Sequence, residues 1–162
     1  MKAMHNDEAG DLAKMDERFM KLALDEAKKA FDAGEVPVGC VVVCQNKVIA
    51  RAHNLTERLR DFTAHAEMQA FTSAAEYLGG KYLVDCTLYV TLEPCMMCAG
   101  ASYLTRVKRI VFGASDFKRG YSLFQHESQA TPLLHPGCEV TAGVLSEDCR
   151  ELLTQFFRER RG

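Results

Sequence analysis

The chain has 162 residues, of which 48% are hydrophobic and 26% charged, and its formal net charge is -2 at pH 7. This composition predicts a soluble globular protein and excludes one drawn to nucleic acid by overall charge, so any polyanion binding must come from local basic patches. No apolar run reaches the length of a membrane span, and residues 1–15 lack the features of a secretory signal. The seven cysteines, an odd number without an export signal, indicate reduced thiols and a cytoplasmic protein.

Nine helices and strands are predicted, in the order α-β-β-α-β-α-β-β-α. The predicted ranges are a helix over 16–33, strands over 38–44 and 47–52, a helix over 66–77, a strand over 87–91, a helix over 96–104, strands over 109–113 and 139–144, and a helix over 146–157. We expect Asp16 to cap the first helix, Gly79 to end the second, and residues 114–137 to form a loop.

The alternation of strands and helices predicts the fold class. It is typical of an α/β protein with three layers, an α/β/α sandwich in which helices cover both faces of one mixed five-stranded sheet. We expect a single domain over residues 15–162. Residues 1–14 are polar and charged, and we expect them to form a flexible tail.

Two short segments combine side chains that bind metals. The first is His65-Ala66-Glu67 and the second is Pro94-Cys95-Met96-Met97-Cys98. One imidazole and two thiolates supply three zinc ligands. A structural zinc site takes all four ligands from protein, whereas a catalytic site leaves one position open for water. His65, Cys95 and Cys98 therefore predict a catalytic site with one zinc ion per subunit.

Helix geometry separates the role of His65 from that of Glu67. Residues i and i+2 of a helix point about 200° apart, so these two side chains would not both bind one ion within a regular helix. We expect His65 to enter the helix and Glu67 to lie in its first turn, over the metal. Zinc lowers the pKa of a bound water to about 7, and Glu67 is placed to carry the proton. These residues predict hydrolytic deamination, the attack of water on an amidine-like carbon with release of ammonia.

Two interpretations without catalysis stay open for these cysteines. A structural zinc site would take a fourth ligand from Cys86, Cys138 or Cys149. Cys40 and Cys44 are unsuitable as an added pair, because four residues of strand separate them by about 13 Å. The second interpretation is a zinc-stabilised RNA-binding module that is not an enzyme.

The pattern H-x-E followed by P-C-x-x-C is the signature of the zinc nucleobase deaminases, in which the glutamate is a proton carrier and not a ligand. Within that superfamily the chain resembles the bacterial tRNA-specific adenosine deaminases, over about residues 19–161. The matching stretches are Glu35–Gly39, Thr63–Glu67, Leu88–Ala101, Val111–Ala114, His135–Gly137 and Phe156–Arg158.

This resemblance implies the cytidine-deaminase-like fold and the hydrolysis of adenosine to inosine at the wobble position of a tRNA anticodon loop. In bacteria the substrate is typically an arginine tRNA, and the enzymes are typically homodimers. Asn54 matches the asparagine that contacts the base, Val36 matches a residue of the base pocket, and Ala66 is assigned to substrate binding with them. The implied partner is the tRNA anticodon stem-loop.

Basic side chains are candidate contacts to RNA phosphates. They are Arg158, Arg160 and Arg161 at the end of the last predicted helix, and Lys118 and Arg119 in the predicted loop. The chain departs from the family pattern at residues 118–124, which are bulkier, and at Phe62, where proline is common. A deaminase of free guanine or cytosine on the same fold stays as the alternative function.

Overall fold

The structure, a computed structural model, describes residues 2–126 and 128–161. Its helices are α1 (Lys2–Asp32), α2 (Ala66–Leu78), α3 (Met96–Thr105) and α4 (Ser146–Arg161), and its strands are β1 (Gly39–Cys44), β2 (Lys47–His53), β3 (Cys86–Leu92), β4 (Arg109–Ala114) and β5 (Glu139–Ala142). A short 3-10 helix over Tyr121–Phe124 lies within the predicted loop. The nine predicted elements are all present, with limits close to those predicted except at the start of α1 and the end of α4.

The five strands form one mixed sheet in the order β2-β1-β3-β4-β5. Strand β1 is antiparallel to both of its neighbours, β2 and β3, whereas β3, β4 and β5 are parallel to one another. This confirms the predicted α/β fold with a mixed five-stranded sheet.

Helices cover both faces of the sheet because β1 is apolar on both sides. Cys40 and Val42 point into a core that they share with α2, while Val41 and Val43 point into a second core shared with α1. Successive side chains of a strand face opposite ways, so an unbroken apolar run is what a central strand between two helical layers requires. Helices α2 and α3 pack on one face, and α1 and α4 pack together on the other.

The start of the first helix was predicted wrongly. Helix α1 begins at Lys2, so residues 2–14 continue the helix and Asp16 is an interior residue, not its cap. Side chains 7–14 are exposed, and the extension depends on helix-forming residues such as alanine, leucine, lysine and glutamate. The flexibility of this segment and the domain limits stay predictions, and their end points Met1 and Gly162 lie outside the described residues.

Asp16 instead anchors α1 to the sheet. Its carboxylate accepts a bidentate pair of hydrogen bonds from Arg109, at 2.7 and 2.6 Å, and a third from the hydroxyl of Tyr89 at 2.8 Å. Arg109 also donates to Thr141 at 2.8 Å, so the network extends across β3, β4 and β5. Burial, and then the hydrogen bond to Asp16, raises the pKa of Tyr89. The ion pair therefore ties the first helix to three strands.

Among the described residues, no helix is both long enough and apolar enough to cross a membrane.

We expect Asp16→Asn to lower the free energy of unfolding by about 3 to 5 kcal/mol, because Arg109 would stay buried without its counter-charge. Urea unfolding followed by circular dichroism measures this change. Asp25→Asn, which alters an exposed carboxylate on the same helix, is the matched control. Equal unfolding midpoints for the two variants would show that the pair does not stabilise the fold.

Candidate metal centre

Two helix N-termini meet at the predicted metal-binding segments. His65 is the N-cap residue of α2 and Cys95 is the N-cap residue of α3, and both have extended backbone angles. Cys98 follows in the first turn of α3, where the positive end of the helix dipole favours a thiolate. The sequence prediction that His65 precedes its helix is thus confirmed, and Pro94 stands just before the N-cap Cys95.

The three predicted ligands converge on one point. Atom Nδ1 of His65 lies 3.5 Å from Sγ of Cys95 and 3.6 Å from Sγ of Cys98. One donor atom from each of the three residues falls within 4.8 Å of the others. Cys95 and Cys98, which follow His65 by 30 and 33 positions in the chain, thus form a single cluster with it.

The cluster fits a zinc ion. Zinc–nitrogen bonds of about 2.05 Å and zinc–sulfur bonds of about 2.3 Å at a tetrahedral angle place nitrogen and sulfur about 3.6 Å apart, close to the separations found here. The imidazole also makes a hydrogen bond to the backbone of Phe62, and such an outer contact fixes the orientation of a metal-binding histidine. The donor set and its spacing are therefore those of a zinc site with three protein ligands.

The remaining cysteines do not complete a closed structural site in the part of the chain that the structure describes. No other histidine, cysteine, aspartate or glutamate joins His65, Cys95 and Cys98 in a group that could hold an ion. Cys86 pairs across the sheet with Cys44, Cys138 contacts the carbonyl of Glu139, and Cys149 is a residue of α4 whose side chain is buried in the core beneath that helix. The interpretation of the site as a four-ligand structural zinc site is not supported.

The two cysteines of the cluster differ in acidity. The hydrogen bond from the Cys98 thiol, helped by one to His65, lowers the pKa of Cys95 to about 4. The same hydrogen bond and burial raise the pKa of Cys98. The hydrogen bond to Cys95 raises the pKa of His65. The imidazole and the two sulfur atoms are therefore close enough to shift the acidity of one another, as expected for donors that bind one cation.

Glu67 lies in the first turn of α2 and is only 4% exposed. Burial raises the pKa of its carboxyl group, and a hydrogen bond links it to Cys98. A buried carboxyl group beside the metal-binding cluster can accept a proton and release it again. The structure therefore places Glu67 beside the cluster without including it in the ligand set.

Asn54 is buried and is linked to the cluster through α2. Its side-chain oxygen accepts a hydrogen bond of 2.9 Å from the backbone N–H of Ala66, the residue after His65. Ala66 itself is fully buried, so its side chain packs in the core and its N–H is already used. The backbone N–H of Asn54 donates to the carbonyl of Val38, which keeps Asn54 close to the segment that carries Val36.

The segment over residues 115–122, here called the 115–122 loop, lies against the cysteine turn. Gly120 pairs with Cys95 as an isolated β-bridge, and Tyr121 N–H donates to the carbonyl of Pro94 at 2.9 Å. Lys118 and Arg119 are exposed on this loop, with their backbone N–H groups bound to Asp116. The structure thus brings two of the predicted RNA contacts next to a metal ligand.

The three arginines of α4 have different surroundings. Arg160 donates to the carbonyl of Gly34 and lies over the ring of Phe156, so this guanidinium is engaged within the protein. Arg158 and Arg161 are exposed. Helix α4 packs with α1 on the face of the sheet that does not carry α2 and α3, away from the helices of the cluster.

Two buried glutamates were missed as functional positions from the sequence. Glu35 accepts hydrogen bonds from the backbone N–H groups of Glu57 and Arg58, at 3.0 and 2.8 Å, and so holds the loop between β2 and α2. Glu93 accepts hydrogen bonds from the 115–122 loop. Each glutamate stands next to apolar residues in the sequence. A charged residue beside an apolar run was the signal that could have indicated a buried, hydrogen-bonded carboxylate.

Comparison with known proteins gives a consistent result. The family model described as the cytidine and deoxycytidylate deaminase zinc-binding region matches residues 13–114. The tRNA-specific adenosine deaminase of Bacillus subtilis (strain 168) is 50% identical over 151 residues, which span 90% of this chain and 91% of the relative.

Two solved structures are similar in fold. One has a TM-score of 0.73 and 40% identity, over 84% of this chain and 99% of the other. It comes from biochemical and structural studies of A-to-I editing by tRNA:A34 deaminases at the wobble position of transfer RNA. The other, a guanine deaminase from Bacillus subtilis, has a TM-score of 0.61 and 33% identity, over 72% of this chain and 82% of the other.

We expect Cys98→Ala to weaken zinc binding by more than about 100-fold. Loss of a residue that only contacts a metal ligand already weakens metal binding by up to about 100-fold, and loss of the ligand itself should cost more. The zinc content of the purified protein, measured by mass spectrometry of the metal after gel filtration, tests this. Cys44→Ala is the matched control, because Cys44 lies outside the cluster. Full zinc content in Cys98→Ala would show that the cluster is not the zinc site.

Proposed function

Because the chain belongs to the cytidine and deoxycytidylate deaminase family, and within it to the tRNA-specific adenosine deaminases, we propose that it hydrolyses adenosine to inosine at the wobble position of a tRNA anticodon loop. The observation that carries this proposal is the convergence of His65, Cys95 and Cys98 with a buried carboxylate beside them. We take an arginine tRNA as the substrate, as the family resemblance implies. A homodimer of one domain over residues 15–162, acting in the cytoplasm, completes the proposal.

The protein's own residues have separate roles in this reaction. His65, Cys95 and Cys98 would hold the zinc ion, which when bound supplies Lewis-acid activation of a water molecule. Glu67 takes the proton from the attacking water and delivers it to the departing amine, so that ammonia leaves as a neutral molecule. Burial raises the pKa of Glu67, so the carboxyl group holds a proton more readily than an exposed glutamate does, as a proton carrier requires.

Asn54 is the residue best placed to orient the base. Because its oxygen is occupied by the N–H of Ala66, the side-chain amide nitrogen is the group left to donate a hydrogen bond to the substrate. Ala66 then contributes by fixing Asn54 and not by a bond of its own N–H to the base. Val36, half-buried at the edge of the core, forms an apolar wall.

An anticodon loop suits a protein with a net charge of -2. The target base is already unpaired, so extruding it costs less than opening a duplex. Lys118 and Arg119 lie beside the cysteine turn and supply local positive charge for phosphates near the extruded base. Arg158 and Arg161 would contact more distant phosphates, while Arg160 is engaged with Gly34.

Hydrolysis of free guanine is the second candidate, because the similar guanine deaminase shares the fold at 33% identity. A free base needs no contacts to phosphates, so this function would leave the exposed cations near Cys95 without a role. The two functions therefore differ in their dependence on RNA.

We expect the zinc-loaded protein to convert wobble adenosine to inosine in an arginine anticodon stem-loop, and to leave free adenine, guanine and cytosine unchanged. Inosine formation is measured by nuclease digestion and liquid chromatography, and ammonia release by a coupled assay. A stem-loop with guanosine at the wobble position is the control substrate. Turnover of a free base alone would reject the tRNA substrate in favour of the second candidate.

Glu67→Ala should retain zinc and lose at least about 100-fold in kcat, the range that general acid–base catalysis contributes. The zinc content and the single-turnover rate on the stem-loop are measured on the same preparation. Glu76→Gln, an exposed glutamate on the same helix, serves as the control. Unchanged ammonia release by Glu67→Ala would contradict the proton-carrier role.

A further inference from the structure

Glu93 is a buried carboxylate that the proposed chemistry does not use. It is 5% exposed and stands at the end of β3, directly before the proline of the cysteine turn. One of its oxygens accepts a hydrogen bond from the backbone N–H of Asp116 at 3.2 Å. The other accepts bonds from the N–H and the hydroxyl of Ser122, at 3.1 and 2.7 Å. These hydrogen-bond partners of the Glu93 carboxylate belong to the 115–122 loop. The carboxylate thus connects the start of the loop, at Asp116, to its end, at Ser122.

The contact between Glu93 and the loop requires a glycine at residue 120. A Cβ at residue 120 would approach the Oε2 atom of Glu93 to 2.3 Å and the carbonyl of Asp116 to 2.6 Å, distances that no side chain tolerates. The carboxylate is therefore packed directly against the backbone of the loop. Glu93 also donates its own N–H to the carbonyl of Ala114, so both ends of the contact are fixed.

A buried carboxylate is costly unless its hydrogen bonds are complete, and an apolar residue would fill the same space at lower cost. What the carboxylate provides is directional: bonds to charged groups are about twice as strong as neutral ones and hold their donors in one geometry. Here the donors are the backbone N–H groups of Asp116 and Ser122 and the hydroxyl of Ser122, which lie on either side of Lys118 and Arg119. The two cations consequently extend from a backbone that is fixed relative to Cys95.

We propose that Glu93 is a positioning residue for RNA binding, which holds the 115–122 loop so that Lys118 and Arg119 meet the phosphates beside the extruded nucleotide. This inference depends on the proposed tRNA substrate. Cations held in place before binding lose less conformational freedom when the RNA arrives, so the loop contributes to affinity without touching the reacting atoms. Glu93 acts through the loop and is not a catalytic residue.

The test is Glu93→Gln in the zinc-loaded full-length protein, assayed on the anticodon stem-loop. Glutamine retains one acceptor oxygen, but its amide NH2 is a donor and cannot accept the hydrogen bonds that the loop offers to the second oxygen, so the loop loses part of its anchor. We expect KM for the stem-loop to rise about tenfold, the effect of one charge-assisted hydrogen bond, while kcat and zinc content stay as in the unmodified protein. Glu76→Gln is the matched control.

A double-mutant cycle separates this role from a general structural one. In a Lys118→Ala/Arg119→Ala background, Glu93→Gln should have no further effect on KM, because the groups that it positions are gone. A full tenfold effect in that background would overturn the proposal, as would an unchanged KM for Glu93→Gln alone. If Glu93→Gln does not fold, Ser122→Ala replaces it as the test, because this variant removes only one hydroxyl from the contact. We expect a smaller rise in KM for Ser122→Ala, with Ser73→Ala as its control. An unchanged KM for Ser122→Ala would then count against the proposal.

The unmodified protein distinguishes failure of the proposed function from failure of the proposed role of Glu93. If it forms no inosine in the stem-loop, the proposed function fails, and the RNA-binding role of Glu93 fails with it. If it forms inosine normally while Glu93→Gln has the same KM, only the role of Glu93 is rejected.

Discussion

The meeting of two helix N-termini is the constraint on which the rest of the structure depends. Helices α2 and α3 begin at His65 and Cys95, and their first turns bring an imidazole, two thiols and a carboxylate together. Both helices follow segments of the same sheet and lie on the same face of it, so the register of the sheet sets the distance between them. A change that moved one helix relative to the other would therefore move the donor atoms apart.

Much of this arrangement could be predicted from local pattern. The unbroken apolar run of β1 indicated a strand buried on both faces, and the spacing of His65 and Glu67 placed one before the helix and the other in its first turn. These predictions succeeded because they depend on periodicity and on helix ends, which neighbouring residues determine. The first helix was different: Asp16 has the side chain of an N-cap, but α1 begins at Lys2 and the carboxylate of Asp16 binds Arg109 instead of a helix end.

The residues that escaped prediction are those whose partners are distant in sequence. Glu35 and Glu93 were visible as charges beside apolar residues, but their meaning lies in backbone donors 22 to 29 positions away. Backbone groups carry no signature in the sequence, so no pattern of residue types reveals which loop a buried carboxylate holds. Arg160 is the opposite case, since it has the side chain of a phosphate contact but is occupied by a carbonyl oxygen of the protein.

The contact between Arg160 and Gly34 joins the last helix of the chain to the segment that follows the first helix. The two residues are 126 positions apart, so Gly34 leaves the ribosome long before its partner has been synthesised. During synthesis the segment that carries Val36 therefore lacks this contact until α4, the last helix, has been made. The last helix of the chain thus supports the backbone just before Val36, so loss of the C-terminal turn of α4 would remove a contact from a segment near the start of the chain.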